Sequence, residues 1–192
     1  GGGFGGGGAD QSIGSPEKNK RLQELVQDYL KKLAAINFKT LSQECKVDYI
    51  LFKRDLTERL NQLTADANEV AKISKWFPFA NKVYELEKQR RRGFQPNAEQ
   101  VAKDWAGIIT EIKSLQSSLK DEKVIDPESV YTAGEVLSNL KQTAQSIMDF
   151  YNGYDPMFTW WVPAVHKSLD ESLTAYALFS VASLAPTIVS IV

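Results

Sequence analysis

The chain has 192 residues, 43% of them hydrophobic and 24% charged, an ordinary globular mixture at a length that suits one folded core rather than a disordered or fibrous chain. Its 23 basic and 24 acidic side chains give a formal net charge of −1, so no global field draws phosphate backbones or anionic lipid, and nucleic acid is not expected as a partner. Cys45 is the only cysteine and His166 the only histidine, which excludes an intrachain disulfide, a thiolate metal cluster and a two-histidine zinc helix.

Gly1 to Gly14 hold eight of the twelve glycines. So much backbone entropy with so little apolar surface predicts a disordered tail over residues 1–15, and no charged stretch followed by an apolar one marks a secretory signal. Ser15-Pro16-Glu17 starts the first helix: a serine N-cap, a proline at the first helical position and an acid facing the positive end of the dipole. Leu22, Leu25, Val26, Tyr29, Leu30 and Leu33 lay an apolar stripe along it, and Asn37 is expected to close it. A second helix begins near Ser42. No Gly or Pro interrupts Leu41 to Phe77, which predicts one long helix or two with a kink near Asp66. Phe77-Pro78 breaks it, and a third helix runs through Val83, Tyr84 and Leu86 to Arg92, with Gly93 where a left-handed C-terminal residue belongs.

Pro96-Asn97 restarts the pattern. Val101, Trp105, Ile108, Ile109, Ile112, Leu115 and Leu119 form the cleanest amphipathic stripe of the chain. Asp126-Pro127-Glu128 opens a fifth helix that carries Val130, Ala133, Leu137, Leu140, Ala144, Ile147 and Met148 to about Tyr151. An aromatic break, Tyr151 to Pro156, leads through Met157–Val162 into a last helix from Pro163. No period-two run argues for a strand before Thr187–Val192. The fold class expected is therefore all-α: a bundle of about five to six amphipathic helices, mostly antiparallel, with a helical domain over 16–179 and an apolar tail over 180–192.

Catalytic patterns are sparse. Asp170 lies four residues beyond His166, on the same helix face, and could orient an imidazole, but no G-x-S-x-G elbow supplies a nucleophile. We read His166 as a surface histidine with an acidic neighbour. Asp121/Glu122 and Asp170/Glu171 are adjacent pairs that point to different helix faces, unsuited to paired acid–base work. Gly5 to Gly8 lacks the Lys-Ser/Thr and the preceding strand of a phosphate loop. Lys88, Arg90, Arg91 and Arg92 could bind an anion, but as a run in the last turn of a helix they complement its dipole. Ser172 to Val192 is free of charge for 21 residues, a spanning length. Thr174, Ser180, Ser183, Pro186, Thr187 and Ser190 within it, and the one-sided stripe of Leu169, Leu173, Tyr176 and Ala177, favour packing in the bundle over a membrane anchor.

The least ordinary stretch is Phe150-Tyr151-Asn152-Gly153-Tyr154-Asp155-Pro156-Met157-Phe158-Thr159-Trp160-Trp161-Val162, which holds two of the four tryptophans at a helix junction. Tyr154, Phe158, Trp160 and Trp161 are the candidate ligand or partner contacts. The competing reading is a wedge of rings filling the joint, with indole N–H groups finding carbonyls. The segment resembles a hallmark of a bacterial and fungal family, domain-of-unknown-function family 885. Leu41-Ser42-Gln43-Glu44-Cys45-Lys46-Val47-Asp48-Tyr49-Ile50-Leu51-Phe52 is similar to that family's early helix, and Phe77-Pro78-Phe79-Ala80 to its first break, so the resemblance extends from about Leu22 to Ala177.

The resemblance implies a much longer, mostly helical protein related to zinc-dependent peptidases, some fungal members carrying an X-Pro dipeptidyl-peptidase label. The family's metal motif, a His-Glu and a Gly-His-His, lies far downstream of the matched region. No catalytic, cofactor-binding or metal residue carries over to this chain; zinc is expected only for the full-length family. After Tyr176-Ala177 the sequence departs from the family's charged helical continuation, which points to a truncated or mis-spliced product. The functional expectation is a non-catalytic N-terminal helical portion of a peptidase-like protein, its partner a missing C-terminal catalytic half. The alternative is a free-standing helical module that holds a protein partner. Apolar faces left in water would also favour self-association.

Overall fold

The computed structural model describes residues 15–119 and 126–184. Every regular element among them is helical: α1 (Pro16–Ala34), α2 (Gln43–Ile73), α3 (Ala80–Arg91), α4 (Ala98–Ser118), α5 (Pro127–Tyr151), α6 (Pro156–Trp161) and α7 (Pro163–Leu184). Of the tail expected over 1–15 only Ser15 is described, and it caps α1 instead; of the tail expected over 180–192, residues 180–184 continue α7. The rest of both tails and the Asp121/Glu122 pair lie outside the described residues. None of the described helices is long and apolar enough to cross a membrane.

Local signals place the helix ends. The side chains of Ser15, Asn97 and Asp126 each accept a hydrogen bond from a backbone N–H three residues on, at 3.2, 3.0 and 2.9 Å, satisfying donors the first turn leaves open. Gly93 follows α3 with φ +77°, a left-handed conformation that a side chain disfavours. Asn37 does something other than close α1. That helix ends at Ala34, and the Asn37 side chain accepts from Lys39 N at 3.1 Å, capping a 3-10 turn at Phe38–Thr40. Of the two forms expected for the second helix, the unbroken one is observed. α2 passes Asp66 and gives way only at a 3-10 turn, Ser74–Trp76, ahead of Pro78, whose ring disfavours a helical residue before it.

The described residues fall into two compact units, 15–72 and 73–184, so the helical stretch read over 16–179 divides at the end of α2. The first unit is an antiparallel hairpin: Asn19 Nδ2 donates to Leu63 O at 3.0 Å and the Tyr29 and Phe52 rings meet at 6.4 Å. Val26 and Leu33 of α1 and Leu63 of α2 are its buried apolar residues.

In the second unit α7 packs against α4 and α5, α3 against α5, and α6 against α4 and α7. Trp105, Ile108 and Ile112 from α4, Leu137, Leu140 and Ile147 from α5, and Leu169, Leu173 and Tyr176 from α7 are almost wholly removed from water. Each such side chain contributes about 1.5–3 kcal/mol of apolar burial. The stripe of Leu169, Leu173 and Tyr176 thus packs in the bundle as its spacing predicts. Tyr176 joins Phe77 and Phe79 in edge-to-face contacts at 6.1 and 6.3 Å, and its hydroxyl donates to Trp76 O at 3.0 Å, tying α7 to the start of the unit.

Candidate functional site

The aromatic segment forms a corner between α5, α6 and α7. α5 stops at Tyr151, and Gly153 turns the chain with φ +82°. Asp155 then caps α6: Oδ1 accepts from Met157 N at 2.9 Å and Phe158 N at 3.1 Å, while Oδ2 accepts from Gln95 Nε2 at 2.7 Å. The Phe158 amide first, then Gln95, hold this carboxyl below the usual carboxylate range against the opposing effect of burial. Thr159 Oγ1 donates to Asp155 O and accepts from Gly153 N, both at 2.8 Å. The Tyr151 hydroxyl donates to Phe94 O at 3.0 Å. The six residues of α6, too short to be stable alone, are therefore pinned through their cap Asp155 to Gln95, 60 positions away, and the end of α5 is pinned through Tyr151 to Phe94, 57 positions away.

The four candidate contacts separate. Phe158 is 0% exposed and sits 5.0 Å from the Tyr151 ring; it fills the joint and leaves the set of surface contacts. Tyr154 is 82% exposed, Trp160 81% and Trp161 38%. The wedge reading thus holds for Phe158 and Val162, and is corrected for Trp160, whose indole stands in water instead of meeting a buried carbonyl. Met157 was not singled out from the sequence, yet it is exposed beside them, and 157, 160 and 161 share one helix face by their i, i+3, i+4 spacing. Phe150 also faces solvent, with the Arg90 guanidinium 4.9 Å over its ring, a cation–π contact. Its signal was its place in the segment, but nothing local distinguishes it from a core phenylalanine.

Two sequence readings resolve differently. Lys88, Arg90 and Arg91 end α3 as expected, and Glu87 takes Arg90 through two 2.7 Å bonds and Arg91 through a third. Burial pushes Glu87 up, but these hydrogen bonds outweigh it and leave the carboxyl lowered. His166 keeps its acidic neighbour Asp170 but is only partly at the surface. It is half-buried, its ring 5.6 Å from that of Trp105 across α4 and α7, and burial lowers its pKa against the opposing pull of Asp170 and Asp149. Asp170 meanwhile pairs with Lys141 at 3.2 Å. The packing of α4 on α7, which sequence spacing cannot show, accounts for the correction.

Zinc needs several converging donors. Among the described residues His166 belongs to no cluster of three metal-capable side chains, so its surroundings do not fit a zinc centre. Fold and corner together define an all-helical protein with a tightly tied, solvent-facing aromatic ledge. Compared with known proteins, the chain matches no family model, no curated protein and no solved structure.

Proposed function

We propose that this chain is the non-catalytic helical front portion of a larger peptidase-like protein, and that its aromatic corner packs against the catalytic half and shapes the substrate cleft. One observation carries the reading: Tyr154 and Trp160 stand more than four-fifths exposed on a corner held from within by the buried Phe158 and by the hydrogen bonds of the buried Asp155. A large ring held in water forgoes burial of order 2 kcal/mol, and Trp and Tyr are the residues most enriched where protein partners anchor. The resemblance supplies the partner's identity, because the hallmark segment and the corner are the same residues. The zinc chemistry belongs to the downstream His-Glu and Gly-His-His motif; this chain contributes surface and shape.

The genomic sequence downstream of the Val192 codon is expected to carry that motif. Expressed separately, the downstream segment should bind the 192-residue chain, and Trp160→Ala with Trp161→Ala should weaken binding by about tenfold or more. A downstream sequence without the motif, or binding indifferent to both substitutions, would overturn the proposal. So would zinc-dependent peptidase activity in the 192-residue chain alone. Exposure of the same ledge also supports the second reading, a free-standing interaction module, and the downstream sequence separates the two.

A further inference from the structure

Asn152-Gly153 is the one Asn-Gly pair in the sequence; the other seven asparagines precede residues that carry a side chain. Glycine after asparagine leaves the next amide nitrogen unshielded from the side-chain carbonyl carbon. Both residues are exposed, and a Cβ added at Gly153 would meet nothing within 4 Å. Packing does not cover the pair, so main-chain hydrogen bonding is what restrains it. Every N–H from 152 to 155 is engaged. Asn152 N donates to Met148 O at 2.9 Å, and Tyr154 N and Asp155 N donate to Tyr151 O at 3.1 and 2.9 Å. Gly153 N donates to Thr159 Oγ1 at 2.8 Å, while the Thr159 hydroxyl gives its own proton to Asp155 O, so its oxygen meets Gly153 purely as an acceptor. Asn152 also sits at ψ 128°, whereas attack on its side chain needs that torsion carried to negative values.

We infer that Asn152 is a site of spontaneous deamidation and that the Thr159 hydroxyl sets its rate by holding the Gly153 N–H. When the turn opens locally, the Gly153 nitrogen loses its proton to solvent and attacks Asn152 Cγ. A bond forms between that nitrogen and Cγ, the Cγ–Nδ2 bond breaks, and Nδ2 leaves as ammonia, taking up a proton. Water then opens the cyclic imide at either carbonyl and leaves an aspartyl or an isoaspartyl residue in place of Asn152. Nothing is oxidised or reduced, and water is the only co-reactant. Either product puts a negative charge at the C-terminal end of α5, the unfavourable end of its dipole. The isoaspartyl form also lengthens the main chain between Tyr151 and Gly153 by one carbon. The change thus acts on the joint that displays Tyr154 and Trp160, and it is independent of what the ledge contacts.

The full chain, folded or unfolded in guanidinium, is incubated at mildly alkaline pH, and its peptides are read by mass spectrometry for NH2 replaced by OH. Labelling by an isoaspartyl methyltransferase separates the two products. The unfolded chain is expected to react at Asn152 ahead of the other asparagines, and the folded chain more slowly. Thr159→Val should speed the folded reaction about fivefold without altering the unfolded one, and Thr159→Ser, which keeps the hydroxyl, should match the wild type. Amide hydrogen exchange of the wild type, which does not depend on any variant folding, should show the Gly153 N–H protected. A folded chain that deamidates as fast as the unfolded one, an unprotected Gly153 amide, or a Thr159→Val chain with a native helical spectrum and the wild-type rate would each overturn the inference.

Discussion

The inward and outward halves of the aromatic corner share one sequence motif and behave in opposite ways. Asp155, Phe158 and Val162 are buried and tied to the rest of their unit, whereas Tyr154, Met157 and Trp160 are held out in water. The difference shows that a motif dense in large rings can divide its labour within one helical turn: alternate residues build a rigid joint so that their neighbours can be displayed. Rigidity matters for display, because a surface fixed before binding loses less side-chain and backbone freedom when a partner arrives.

Cutting the inner half should have the largest effect. Phe158→Ala removes a side chain with no exposure, packed 5.0 Å from the Tyr151 ring, and should cost about 3–5 kcal/mol in chemical denaturation. A loss under ~1 kcal/mol would mean the joint does not hold the unit together. Next, Asp155→Ala removes the α6 cap and the acceptor for Gln95 and should cost about 1–2 kcal/mol at neutral pH. The folded pKa of Asp155 is depressed, so its contribution is complete above the unfolded value near 3.9 and lost as pH falls through the lower folded value. The deficit of the variant should therefore shrink in acid; a constant deficit in denaturation midpoints measured down to about pH 3 would contradict that. The smallest effect belongs to the outer half. Trp160→Ala should change stability by no more than ~0.5 kcal/mol, and a larger loss would make the ledge part of the core and erase the contrast.

The two units differ in a related way. The second closes around Trp105, Phe158 and Tyr176, while the hairpin of 15–72 leaves Val47, Ile50 and Leu51 in water. Periodicity reads the stripes of both equally well, since it records only that apolar residues recur on a face. It does not count how many faces the fold provides to cover them. The separate α6 is a further case: with it the described residues hold seven α-helices instead of the five to six expected. The reason is local: Val162 keeps a helical conformation and donates to Phe158 O at 3.0 Å, but Pro163 has no N–H to continue the ladder, so α6 ends after six residues.

What the sequence determined by itself was the helical class and most of the helix boundaries, because Ser15, Asn97, Asp126 and Gly93 act on backbone groups only a few residues away. It also located the corner, by the concentration of rings around Gly153 and Pro156. The tertiary structure alone decided that Phe158 turns inward while Trp160 turns out, that His166 lies against Trp105, and that the helices divide into two units after Lys72. Those outcomes depend on contacts such as Gln95 with Asp155 and Trp76 with Tyr176, 60 and 100 residues apart. A period along one helix shows which side chains share a face, but the surface that face meets comes from elsewhere in the chain.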